Sequence, residues 1–174
     1  MKFELPTLAI TKSKIEQKTA VFTGLLALSI FLPSIIHQQG ITGPLINAIL
    51  LVAAMVLSPS SALMIGLIPS VVALSRGLLP LPLAPMVPFI MLSNSVYVIV
   101  FSLLRKKSFA AAVVTASTAK FGLLYAVSQI ILPTLLSGKF LTKAGMMMSW
   151  PQLMTALAGG IIAWLVARVI FGEK

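Results

Sequence analysis

Long apolar blocks separated by short polar breaks run through almost the whole chain. Blocks on the order of 20 residues suit helices crossing a ~30 Å hydrocarbon layer, whereas strands of globular proteins need only about 5–6 residues. The first block is Thr19–Ile36. It exceeds the roughly 7–15 residues of a signal-peptide core, and the following His37-Gln38-Gln39-Gly40 offers no small-residue cleavage pattern, so it reads as a retained helix. Pro44–Leu57 and Ser61–Ser75 follow, divided by the turn signal Ser58-Pro59-Ser60. Arg76–Pro85 carries three prolines and cannot be regular α-helix. The remaining spans are Met86–Leu104, ending at Arg105-Lys106-Lys107, then Phe109–Leu136 and Gln152–Phe171. Between the last two, Ser137–Pro151 reads as a polar loop interrupted by Met146-Met147-Met148. The expectation is an all-α integral membrane protein. It is a single domain over 1–174, a bundle of six transmembrane helices behind a basic tail at 1–18.

Composition agrees. Hydrophobic residues make up 59% of the 174 residues and charged residues 9%, against roughly 25% charged in a soluble domain. The net charge of +10 does not call for nucleic acid, because most cations sit in tails and short loops where they set orientation. One side of the six-span arrangement collects nine of them: Lys2, Lys12, Lys14, Lys18, Arg105, Lys106, Lys107, Arg168 and Lys174. The other has three, Arg76, Lys139 and Lys143. The rich side is cytoplasmic by the positive-inside rule, which puts both termini inside.

Several chemistries drop out. With no Cys, thiolate metal sites, disulfides and Cys nucleophiles are excluded, and no metal or other cofactor is expected. The acids are Glu4, Glu16 and Glu173, all near the ends, so an intramembrane carboxylate relay or a Mg²⁺-dependent ATPase has nothing to work with. One His, His37, at a loop edge does not make an enzyme. The same lack of acids argues against a cationic ligand and favours a neutral or anionic one.

The polar residues inside the spans are the candidate site. Lys120 is the one formal charge well inside a span, about 16 Å from the helix start at Phe109 and costing ~2.5–3.5 kcal/mol to place there. In the same span Thr118, Gly122, Tyr125 and Gln129 form one polar stripe. Lys120 lies ~200° from Thr118 on the helical wheel, so a regular helix cannot aim both at one pocket. The stripe is favoured as pocket wall, because Tyr125 and Gln129 lie in the outer half. Asn94, Tyr97 and Phe101 share a face of the fourth span, and Asn94 suits either an interhelical hydrogen bond or a ligand contact. The sixth span opens Ser149-Trp150-Pro151-Gln152, with Pro as a start signal. Trp150 suits an interfacial anchor or a ligand contact, and Gln152 is a candidate contact. Met146–Met148 reads as an adaptable lid or as a loop dipping into headgroups. In the first span Ala20, Gly24 and Ala27 make a small-residue face that another helix can approach.

In length, in its six spans with both ends inside, and in three local patches, the chain resembles the substrate-binding S component of energy-coupling factor (ECF) vitamin importers of the ABC class. The patches are Gly43-Pro44-Leu45-Ile46-Asn47-Ala48, Met86-Val87-Pro88-Phe89-Ile90-Met91-Leu92-Ser93-Asn94 and Ala119-Lys120-Phe121. The resemblance implies a prokaryotic cytoplasmic-membrane protein that binds a vitamin or related micronutrient from outside. Its pocket would use the outer halves of the fourth to sixth spans and the loops His37–Gly43, Arg76–Pro85 and Ser137–Trp150. Asn94, Tyr97, Lys120, Tyr125, Gln129, Trp150 and Gln152 would then be the substrate contacts. The partners implied are a membrane coupling (T) subunit, met through Ala20, Gly24 and Ala27, and two cytoplasmic ABC ATPases. The first-span pattern here is Ala-x-x-x-Gly rather than the family's usual Ala-x-x-x-Ala. A non-catalytic structural subunit of a membrane complex is the alternative with the same hydropathy.

Overall fold

The computed structural model describes the backbone of residues 6–172, with side chains described for 14–170 and 172. Lys2, Lys12 and Lys174, which enter the charge asymmetry, lie outside the described side chains, as do Glu4 and Glu173. Among the described residues the chain is helical: α1 Pro6–Ile35, α2 Gln39–Val56, α3 Pro59–Gly66, α4 Ile68–Ser75, a 3-10 turn over Leu81–Met86, α5 Val87–Leu104, α6 Phe109–Leu135, α7 Gly138–Met147 and α8 Trp150–Phe171. Among the described residues five apolar segments are long enough to cross a membrane: Lys14–Ile35, Gln39–Val56, Leu81–Leu104, Phe109–Leu135 and the stretch Gly138–Ile170 that contains α8. The molecule is a multi-pass helical membrane protein in architecture.

The sixth apolar segment, Pro59–Ser75, is shorter and broken. Ser58 starts α3 by accepting a hydrogen bond from the Ser61 amide at 3.1 Å, with Pro59 at the first helical position. Pro69 has no N–H to continue the ladder back to Ile65, so α3 stops and α4 begins beyond Leu67. Together they span only ~25 Å at 1.5 Å per residue.

Three boundaries differ from the sequence expectation. The basic stretch before Thr19 is not a separate tail from Pro6 onward, because α1 runs through it into the first span. Residues 39–43 are the opening turns of α2, not a loop. Thr42 ties them down by donating to the Ile36 carbonyl at 2.8 Å, and Gly43 lets α8 come close, since a Cβ there would lie 2.9 Å from Thr155 Cγ2. Finally, the polar stretch after Ser137 folds as the amphipathic α7, which Gly138 makes possible by turning the chain at φ +57°. The proline-rich Arg76–Pro85 stretch contains no α-helix, as expected.

α2 is central and α1 peripheral: 56% of the α2 span is buried against 11% for α1. Small residues let α2 and α8 pack with backbones nearly touching. A Cβ on Gly159 would lie 2.5 Å from Asn47 Cβ and 2.8 Å from the Pro44 carbonyl oxygen. Two apolar cores result. One joins α2, α5, the first half of α6 and α8 around Leu50, Phe101 and Ala116. The other packs Leu83, Met86, Leu124, Leu132 and Met148 beneath α7 and the proline-rich segment. Along α6, Lys120 falls between Ala116 of the first core and Leu124 of the second.

Candidate functional site

The face of α6 that enters the bundle carries Ala112, Ala116, Lys120, Leu124 and Ser128, each four residues from the next and all buried. That row takes Lys120 to the interior with 3% of its surface exposed. Its ammonium donates to Asn47 Oδ1 of α2 at 2.5 Å and to Asn94 Oδ1 of α5 at 2.8 Å. Asn94 in turn donates through Nδ2 to the Gly66 carbonyl at the end of α3, at 3.2 Å. The Lys120 Nζ also stands 5.2 Å from the centre of the Tyr97 ring, whose quadrupole attracts a cation. Tyr97 is fixed by donating its hydroxyl to the Ala156 carbonyl of α8 at 2.8 Å. One cation therefore links α2, α3, α5 and α6, with α8 held by the tyrosine beneath it. Lysine only donates, so both asparagine carbonyl oxygens must point at it, which fixes the orientation of the two amides.

A cavity of about 110 Å³ lies against this cluster. Asn47, Asn94 and Lys120 form part of its wall, with Thr42, Ser70 and Gln152 as further polar groups. Its apolar wall comes from Ile46, Leu79, Ile90 and Met148, among others. It sits where the start of α2, α4 with the segment after it, and the α7–α8 junction converge.

The candidate contacts separate into two groups. Asn94, Lys120 and Gln152 line the cavity, and Gln152 holds the α7 end by donating through Nε2 to the Met147 carbonyl at 3.0 Å. Tyr97 lies beneath Lys120 without reaching the cavity. The preferred stripe of α6 points the other way. Tyr125 is 42% exposed and stacked on Phe121 at 5.6 Å, Thr118 and Gln129 are exposed, and a Cβ on Gly122 would meet nothing within 4 Å. Tyr125 and Gln129 are therefore not in the cavity wall, because burying Lys120 turns the opposite face outward. Trp150, 63% exposed at the start of α8, is outside the cavity too. Met147 and Met148 close one side of the cavity, whereas Met146 faces outward.

Asn47, Thr42 and Ser70 were not among the sequence candidates. Asn47 had a readable signal, a lone amide in an otherwise apolar block. Ser70 had none, because a serine in a span ordinarily bonds to its own helix. Ala20, Gly24 and Ala27 are all exposed on α1, and Gly24 has nothing within 4 Å of a would-be Cβ. Comparison with protein-family models, curated proteins and solved structures gives no match.

Proposed function

We propose that the protein is the substrate-binding subunit of an ECF-type importer in a prokaryotic cytoplasmic membrane. It would capture a small neutral or anionic micronutrient from outside and pass it inward with a T subunit and two ABC ATPases. The observation that carries this reading is the cavity at Lys120, Asn47 and Asn94. A cation inside an apolar bundle is expensive, and such residues usually mark a solute path or binding site. On the positive-inside assignment the cavity end faces outward. The exposed Ala20–Gly24–Ala27 face of α1 is available to a coupling subunit and makes no demand on this fold.

The second reading, a structural subunit, draws on the same cluster. Lys120 already has two carbonyl partners within the protein, and the network ties four helices together. Mass spectrometry of small molecules released from the purified, denatured protein separates the two. Substrate binding requires a solute that co-purifies with wild type and with Tyr125→Ala and Gln129→Ala, but is lost from Lys120→Met. Gly24→Leu should retain the solute yet abolish uptake in cells. Finding no solute in any preparation would favour the structural subunit.

A further inference from the structure

The wall around Lys120 offers donors that find no acceptor among the described residues. Of the three ammonium N–H groups two go to Asn47 and Asn94, leaving one. The Asn47 NH₂ makes no hydrogen bond among the described residues, since that side chain's one bond is the one it accepts from Lys120. Ser70 lines the same cavity, is only 5% exposed, and its hydroxyl has no hydrogen-bond partner among the described residues. Elsewhere in these helices Ser29, Ser34, Ser93 and Ser128 donate back to a carbonyl three or four residues earlier, whereas the hydroxyls of Ser102 and Ser117 are, like that of Ser70, buried without a partner among the described residues. An unpaired buried hydroxyl costs about 1–3 kcal/mol, and of these three serines Ser70 is the one that lines the cavity, where a turn about χ1 presents its hydroxyl to an acceptor brought from elsewhere.

Charge narrows the class. The chain has no Asp, and its glutamates stand at positions 4, 16 and 173, away from Lys120 in sequence. Carbonyl dipoles and a tyrosine ring surround the ammonium, and among the described residues no carboxylate lines the cavity. A ligand bearing one negative charge supplies what the site lacks. Shape narrows it again. Among the described residues no Phe, Tyr or Trp lines the cavity, so a flat ring finds nothing to stack on, whereas Ile46, Leu79, Ile90 and Met148 suit an alkyl chain. At about 110 Å³ the space is smaller than a ~150 Å³ cavity that accepts benzene.

Resting on the substrate-binding reading, we propose that the cavity takes a small aliphatic carboxylate. Its head group accepts from Lys120, Asn47 and Ser70, and its chain lies against the aliphatic wall. The test measures thermal unfolding of the full chain in lipid nanodiscs against butyrate, butyramide, n-butylamine and benzoate at matched ionic strength. Butyrate raises the midpoint, while butyramide needs a roughly ten-fold or higher concentration for the same rise, the value of a charge-assisted contact. Butylamine gives no rise and benzoate less than butyrate. Lys120→Met removes the butyrate response. Ser70→Ala, which deletes an unpaired hydroxyl and so folds at least as well, shifts the response to about 3- to 10-fold higher butyrate.

Butyramide or benzoate matching butyrate overturns the proposal, as does an unchanged response in Ser70→Ala or no response to any probe. The co-purified solute keeps the two readings apart. An aromatic or amine solute that Lys120→Met loses defeats the carboxylate class and leaves substrate binding standing. No solute together with no probe response defeats both.

Discussion

The hydrogen bond from Lys120 to Asn47 should be the strongest single polar contact in the bundle, and a double-mutant cycle measures it. At 2.5 Å, with one partner charged and both almost fully buried, it belongs with charge-assisted bonds. Such bonds contribute about 1.5–3 kcal/mol in proteins generally, while interhelical hydrogen bonds measured in a membrane average ~0.6 and reach ~1.7 kcal/mol. The membrane values are low because the unfolded helices still find partners, a route closed to a mid-helix lysine that cannot bond to its own backbone. We therefore expect a coupling of about 1.5 kcal/mol, near the upper end of the membrane range. Asn47→Leu strands one N–H of Lys120, and Lys120→Met strands two amide oxygens, so each single variant is destabilised. The double variant removes both ends of the bond and should cost clearly less than the sum of the singles. Asn94→Leu should cost about 0.5–1.5 kcal/mol more than Asn47→Leu, because it also removes the bond to the Gly66 carbonyl. Equilibrium unfolding of the full chain in mixed micelles supplies all of these values. A Lys120–Asn47 coupling below ~0.3 kcal/mol, within the error of additivity, would refute the assignment of this pair as the anchor of the site.

Two further outcomes follow from the same packing. Tyr97→Phe deletes only the bond to the Ala156 carbonyl and leaves the ring beneath Lys120, so unfolding should show a loss of about 0.5–1.5 kcal/mol with solute binding unchanged. Gly159→Val should cost about 1–3 kcal/mol and lower solute retention, since its Cβ would push Asn47 away from α8, whereas Gly24→Ala on open α1 should be neutral or slightly stabilising.

The spans were legible because hydropathy reads membrane helices directly. What failed were the short elements. Residues 39–43 contain two glycines, stand just before Pro44 and carry the signature of a loop, yet they form helix because Thr42 anchors them and α8 packs on Gly43. α7 was hidden for a related reason. Its Lys139 and Lys143 made the stretch polar on average, and only the burial of Ala144 under the second core shows that one side of it is needed. Tertiary contacts decided both, and a local reading does not contain them.

The site was half legible for a different reason. In a soluble helix the polar stripe faces water and the apolar one faces the core, but here both faces of α6 are largely apolar and periodicity does not choose between them. The useful criterion is whether a polar group can satisfy itself. Thr118 donates to the Val114 carbonyl of its own helix at 2.9 Å, so it can face lipid at little cost. Tyr125 and Gln129 lie toward one end of α6, where an amphipathic side chain can reach the interface. Lys120 has neither option. With three donors, a full charge and a place near mid-helix, it is satisfied only by other helices, and two of them provide an asparagine carbonyl. Ranking the polar residues of α6 by the partners they cannot find locally puts Lys120 first and the Thr118–Gln129 stripe last. The same ranking picks out Asn47 and Asn94, since a side-chain amide deep in a span also needs a partner on another helix.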